Sequence, residues 1–75
     1  MQAVQAREMV SIVRPDVNLR SGPGTRHEVV WILGRGYPLE VLARKGQWLQ
    51  VRDFEGDEGW VHRSLAGRQP HVVVR

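Results

Sequence analysis

Apolar and polar positions alternate in short runs along this chain, and turn residues punctuate them. Met9 to Arg14 is a β-rich run with Val10 and Ile12 on one parity, stopped by Pro15. Glu28 to Leu33 predicts a second strand, closed by Gly34-Arg35-Gly36. Leu39 to Arg44 predicts a third, with Leu39, Val41 and Ala43 opposite Glu40, Leu42 and Arg44. Lys45-Gly46 is a tight turn into Gln47 to Asp53, where Leu49 and Val51 face away from Trp48, Gln50 and Arg52. Glu55-Gly56-Asp57 makes the next hairpin turn, and Glu58 to His62 predicts a fifth strand. Ser64 to Gly67 reads as one helical turn, and His71 to Val74 as a last short strand. No segment of ten or more residues carries a helical period.

Asp16 to His27 carries the densest turn chemistry and reads as an ordered loop over 15–28. Pro23-Gly24 suits the central pair of a type II turn, where proline fixes the first φ and glycine supplies a positive second one. Asn18 is expected to cap backbone groups of this loop, and Arg20 to hydrogen-bond its carbonyls. Residues 1–8 are polar and aperiodic, a flexible end too short and polar for a signal peptide. Val4-Gln5-Ala6 matches the small-residue pattern of a signal-peptidase site, compatible with removal of an upstream hydrophobic segment. Residues 9–75 then form one domain. Strands this short and this many cannot build a two-sheet sandwich, but suit an all-β, small, five-stranded, strongly bent barrel. Its expected core is Leu33, Leu39, Val41, Leu49, Val51 and Val61, with Ile12 and Leu19 contributing.

Composition sharpens this picture. Seventy-five residues leave room for a small core and no active site between domains. The absence of cysteine excludes disulfides, a thiolate nucleophile and Cys-ligated zinc, and leaves the redox compartment open. No apolar stretch approaches a membrane span. The formal charge is +3, yet four of the eight acids lie within 53–58. The rest of the surface is cationic, which admits an anionic polymer as ligand. Asp53, Glu55, Asp57 and Glu58 lack the ligand spacing of a calcium loop and read as solvated charges on a hairpin tip. His27, His62 and His71 have no partner spacing for a metal, and Ser21 and Ser64 have no identifiable base. The loop at 18–25 lacks the lysine and following helix of a phosphate cradle. No catalysis, cofactor or metal is expected.

Five motifs occur in order: N-L-R-S-G-P-G-T (18–25), V-x-W-x-L-x-R-G (29–36), L-E-V-L (39–42), G-x-W-x-x-V-R-D (46–53) and G-x-E-G-W-V-H-x-S-L (56–65). Together they resemble a bacterial SH3-like domain over about residues 9–74. They are most similar to the subfamily in short secreted or envelope proteins of Gram-negative bacteria. The resemblance implies an SH3-like barrel and a periplasmic or secreted binding or targeting role, not an enzyme. It extends more loosely to eukaryotic SH3 domains, whose ligand-binding Trp is matched by Trp48 and whose closing Pro and Tyr are matched by His62 and Leu65. The aromatic opening of those domains is absent, and their acidic first loop is replaced by one with Arg20 and Arg26, which argues against proline-rich ligands.

Trp48 lies opposite the core parity, so it is expected to be partly exposed, as a stacking platform or as a lid over the sheet edge. Trp31 and Trp60 are expected in the core, each among apolar neighbours. Tyr37 could flank Trp48 or pack in its turn. The expected ligand surface is therefore Trp48, Tyr37, His62 and Leu65, with Arg20 or Arg26 at one end, and the acidic tip at 55–57 far from it. The expected ligand is a cell-wall peptide or glycan, or a partner's peptide, bound by a monomer. The rival classes are a basic nucleic-acid-binding module and a structural module docked within a longer protein. The latter would leave an apolar patch exposed in isolation.

Overall fold

Alternation determines which side of each strand is buried. In Trp48–Arg52, Leu49 and Val51 are buried, whereas Trp48, Gln50 and Arg52 are half-buried. Val17–Arg20 follows the same rule: Val17 and Leu19 face inward, Asn18 and Arg20 outward. The computed structural model describes residues 8–68. In chain order the strands are β1 (Met9–Ile12), β2 (Val17–Arg20), β3 (Val29–Leu33), β4 (Pro38–Lys45), β5 (Trp48–Arg52) and β6 (Glu58–His62). A 3-10 turn at Arg63–Leu65 leads into β7 (Ala66–Arg68). They form one antiparallel sheet in the order β3-β2-β6-β5-β4-β1-β7.

Strand β4 serves two neighbours. Its first residues pair with β1, as in Val10↔Leu39, and the stretch from Glu40 to Lys45 pairs with β5. The register shifts between Val41 and Ala43. One extra residue there bends the strand and increases its twist. At the entrance to β1, Arg44 donates to the Glu8 carboxylate at 3.0 Å and Val41 N–H donates to the Glu8 carbonyl at 2.9 Å. The Arg44 guanidinium holds the Glu8 carboxyl below its ordinary value.

The core is Val10, Ile12, Val17, Leu19, Leu33, Leu39, Leu49, Val51 and Val61. Val41, expected inside, is half-buried and packs against it. Val10 and Val17 complete it, each inward by strand parity.

Several expectations are corrected. Five strands become seven, because β2 lies inside the expected loop at 15–28 and β7 follows the expected helical turn, which is present as the 3-10 turn Arg63–Leu65 and stops short of Gly67. Pro15 and Asp16 before β2, and Ser21 to Gly24 after it, hide its two-residue alternation among turn residues. Asp16 itself turns the chain with φ 54°, a left-handed conformation that Asp tolerates better than most residues. Asn18 therefore stands in a ladder, opposite Ile32. Gly24 lacks the positive φ of a type II turn. The loop is held instead by Gly24 N–H on the Gly22 carbonyl and His27 N–H on the Gly24 carbonyl. Trp31 is 64% exposed, not a core residue. Its strand ends the sheet order, so no neighbour covers its outer side among the described residues. Trp60 is half-buried. The strand expected at 71–74 and most of the N-terminal end lie outside the described residues.

Candidate functional site

The hairpin of β5 and β6 carries the site at its open end. Trp48 pairs with His62 across the ladder, and their rings meet edge to face with centroids 5.2 Å apart. His62 is also the N-cap of the 3-10 turn. Its Nδ1 accepts the Ser64 backbone N–H at 3.2 Å and lies 2.8 Å from Ser64 Oγ. Accepting at Nδ1 puts the proton of the neutral ring on Nε2. The sequence offered Ser64 no partner; the structure supplies His62, two residues away, as part of a local cap. That cap sets the direction of the turn and so brings Leu65 beside Trp48.

Arg20, at the end of β2, closes the site from the other side. Its Nη1 donates to the carbonyls of Thr25 and His27, each at 3.0 Å. This is the loop clamp expected of it. Two bonds from one nitrogen fix the guanidinium and fold the loop back onto β2.

Trp48, His62, Leu65 and Arg20 line one cleft of about 290 Å³. Its other wall is the chain from Arg14 through Asn18, with Thr25. Arg14 to Asn18 went unrecognised in the sequence as part of a site, and the alternation at 17–20 was the available signal. The cleft offers an indole face, an imidazole and two guanidinium groups, against one carboxylate at Asp16. Such a set can stack on a flat or extended group and hydrogen-bond a carboxylate. Its volume suits a short peptide segment or a sugar rather than an engulfed metabolite.

Tyr37 and Arg26 are not brought into this cleft. Arg26 is exposed on the loop. Tyr37 lies near the Asp53 end of the hairpin, packed 5.9 Å from the Phe54 ring, centroid to centroid. Its hydroxyl donates to Asp53 Oδ2 at 3.4 Å. Desolvation, and then the charges of Asp53 and Glu55, push its phenol above the ordinary value.

The acidic tip is at the far end of the same hairpin, beyond the Arg52↔Glu58 pair. Four residue steps of strand, about 13 Å, separate Trp48 from Arg52. Asp53 is buried and organises the turn: its Oδ1 accepts the backbone N–H of Glu55 at 2.8 Å and of Asp57 at 2.9 Å. Gly56 permits the bend with φ 93°. The carboxylates of Asp53, Glu55 and Asp57 lie within 4.8 Å of one another. Asp53 Oδ1 is committed to the turn, which is a structural use for the residue at the centre of that group.

The bacterial SH3 domain family matches residues 13–66. The chain belongs to that family. A protein of Bacillus subtilis named as an N-acetylmuramoyl-L-alanine amidase is 32% identical over 50 residues, 67% of this chain and 10% of its own length. Proteins from two strains of Staphylococcus epidermidis, named as cell wall amidases, are also 32% identical over 50 residues. That stretch is 65% of this chain and 17% of theirs. The chain thus spans a small part of each of these relatives.

Proposed function

We propose that this SH3 domain is a non-catalytic binding or targeting module of a bacterial envelope protein, working in the periplasm or outside the cell. Its ligand is a cell-wall glycopeptide or the peptide of a partner, held across Trp48, His62 and Leu65 with Arg20 on the anionic end. One observation carries the reading: these four side chains share a cleft in a family that recurs in proteins named for cell-wall amidase activity. A binding role separate from the chemistry fits a domain that matches so small a share of those proteins. Membership of the subfamily of short Gram-negative envelope proteins, and an SH3-like barrel form for the curved seven-stranded sheet, belong to the same proposal.

The test is an NMR shift titration of the chain with muropeptides, proline-rich peptides and short oligonucleotides. Muropeptides should shift Trp48, His62, Leu65 and Arg20. Trp48→Ala should keep the fold and abolish those shifts. Salt separates the nucleic-acid alternative, because phosphate-dominated binding weakens steeply with salt while stacking does not. Muropeptide shifts clustered on Asp53 to Glu58 would overturn the cleft assignment.

A further inference from the structure

Strand β3 is an edge strand with apolar side chains open on both faces. Val29 is 39% exposed, Val30 44%, Trp31 64% and Ile32 58%. Edge strands are ordinarily blunted by charge or proline, because their outward N–H and C=O groups can pair with another chain. Val29 to Leu33 contains neither. The register in the ladder to β2 runs from Leu19↔Trp31 to Arg20↔Val29, so the extra residue is Val30 of β3 itself, and the regular part of the outer edge is Trp31 to Leu33.

A second cleft, of about 320 Å³, opens beside this strand. Val30, Trp31 and Leu19 meet Asp53, Asp57 and Glu58 there. These three of the eight acids lie beside an indole in a chain whose net charge is +3. An indole flanked by carboxylates attracts a cationic side chain twice, through the ring face and through the charges.

We propose that β3 is a docking edge for an extended peptide in which β-branched residues alternate with Lys or Arg. The peptide adds antiparallel or parallel to β3 through main-chain hydrogen bonds. Its apolar side chains cover Ile32, and a basic one reaches between Trp31 and the carboxylate of Asp57, beside a Glu58 that Arg52 already pairs at 3.2 Å. Charge complementarity selects this occupant. A second copy pairing through its own β3 brings no cation within Val29 to Leu33 to meet those carboxylates. The edge is separate from the Trp48 cleft, which lies at the other end of the β5–β6 hairpin.

The test uses the full chain and a capped peptide, Val-Lys-Val-Arg-Val-Lys, followed by amide shifts and hydrogen exchange. Shifts should appear at Val29 to Leu33, Asp57 and Glu58, and the β3 amides should slow. Replacing the basic residues of the peptide with Glu should weaken binding about tenfold, since attraction at two or more cross-strand positions becomes repulsion. Trp31→Ala, at an exposed position, should weaken it while preserving the spectrum elsewhere, and Trp48→Ala should leave it unchanged. Equal binding of the acidic peptide, or no binding up to the millimolar range, overturns the proposal. So do shifts confined to the Trp48 cleft. If the β3 amides are already protected in the free chain, the edge has a partner of its own and the proposal also fails.

Discussion

Gly59 sits in the middle of β6, opposite Val51 in the ladder to β5. A Cβ placed there would stand 2.5 Å from Leu19 Cγ, 2.8 Å from its Cδ1 and 3.0 Å from the Arg20 carbonyl oxygen. Carbon atoms prefer about 3.5–4.0 Å, so the closest approach is about 1 Å too short. The obstacle is the branch point of a buried leucine backed by main chain, not a movable tip. Gly59→Ala must therefore displace Leu19 or spread β2 from β6. Overpacking of this kind costs about 1–3 kcal/mol. Loss of glycine freedom in the unfolded chain returns about 0.4–1 kcal/mol. The net expectation is a loss of about 1–2 kcal/mol, a fall of roughly 5–15 °C in Tm for a domain of this size. Gly34→Ala is the control: nothing lies within 4 Å of its Cβ and its φ is not positive. That change should be neutral or stabilising. Urea unfolding followed by tryptophan fluorescence reads both, with an unchanged m-value required of each. In Gly59→Ala/Leu19→Ala the losses should fall short of their sum, since the clash is gone. A Gly59→Ala chain as stable as the parent would refute the packing of β2 on β6 described here.

Val51 is 0% exposed, so Val51→Ala should cost about 1–3 kcal/mol in the same urea assay; a loss under about 0.5 kcal/mol would contradict a core position. Arg20→Ala removes two donors from the 21–28 loop and should speed exchange of the Ser21 and His27 amides while costing about 1 kcal/mol. Unchanged exchange would show that the clamp does not hold the loop. Tyr37 is the single tyrosine, and its phenol should titrate above the ordinary value, read by tyrosinate absorbance. Its folded pKa is raised, so its contribution to stability is whole below the unfolded pKa and disappears as pH rises through the folded one. Asp53→Asn keeps an acceptor for the turn, removes a charge and should lower the midpoint; an unmoved midpoint would remove Asp53 from the causes.

The strands with clean alternation were legible from their residues. Leu49 and Val51, Leu39, and Val61 are inward for the reason their parity predicts. Strand β2 was concealed because four residues of alternation sit between two clusters of turn formers, and its stability comes from pairing with β3 and β6. Trp31 was misread because an apolar run states that a strand forms, not that a neighbouring strand will cover it. Trp48, His62, Leu65 and Arg20 were legible as a group through the family's spacing. Tyr37, expected with Trp48, lies instead against Asp53 and Phe54, a direction that no local signal in Gly36-Tyr37-Pro38 encodes.

Because both bonds of the Arg20 clamp leave from Nη1, the same guanidinium serves as a loop fastener and as a wall of the cleft. Immobilising a long side chain at an interface costs about 0.5–1.5 kcal/mol. Here that cost is met when the chain folds, so an anionic ligand reaching Arg20 finds it already oriented. Affinity for such a ligand would then be set partly by the Thr25 and His27 carbonyls that hold the guanidinium. Changes in loop sequence can tune recognition without altering any side chain that touches the ligand.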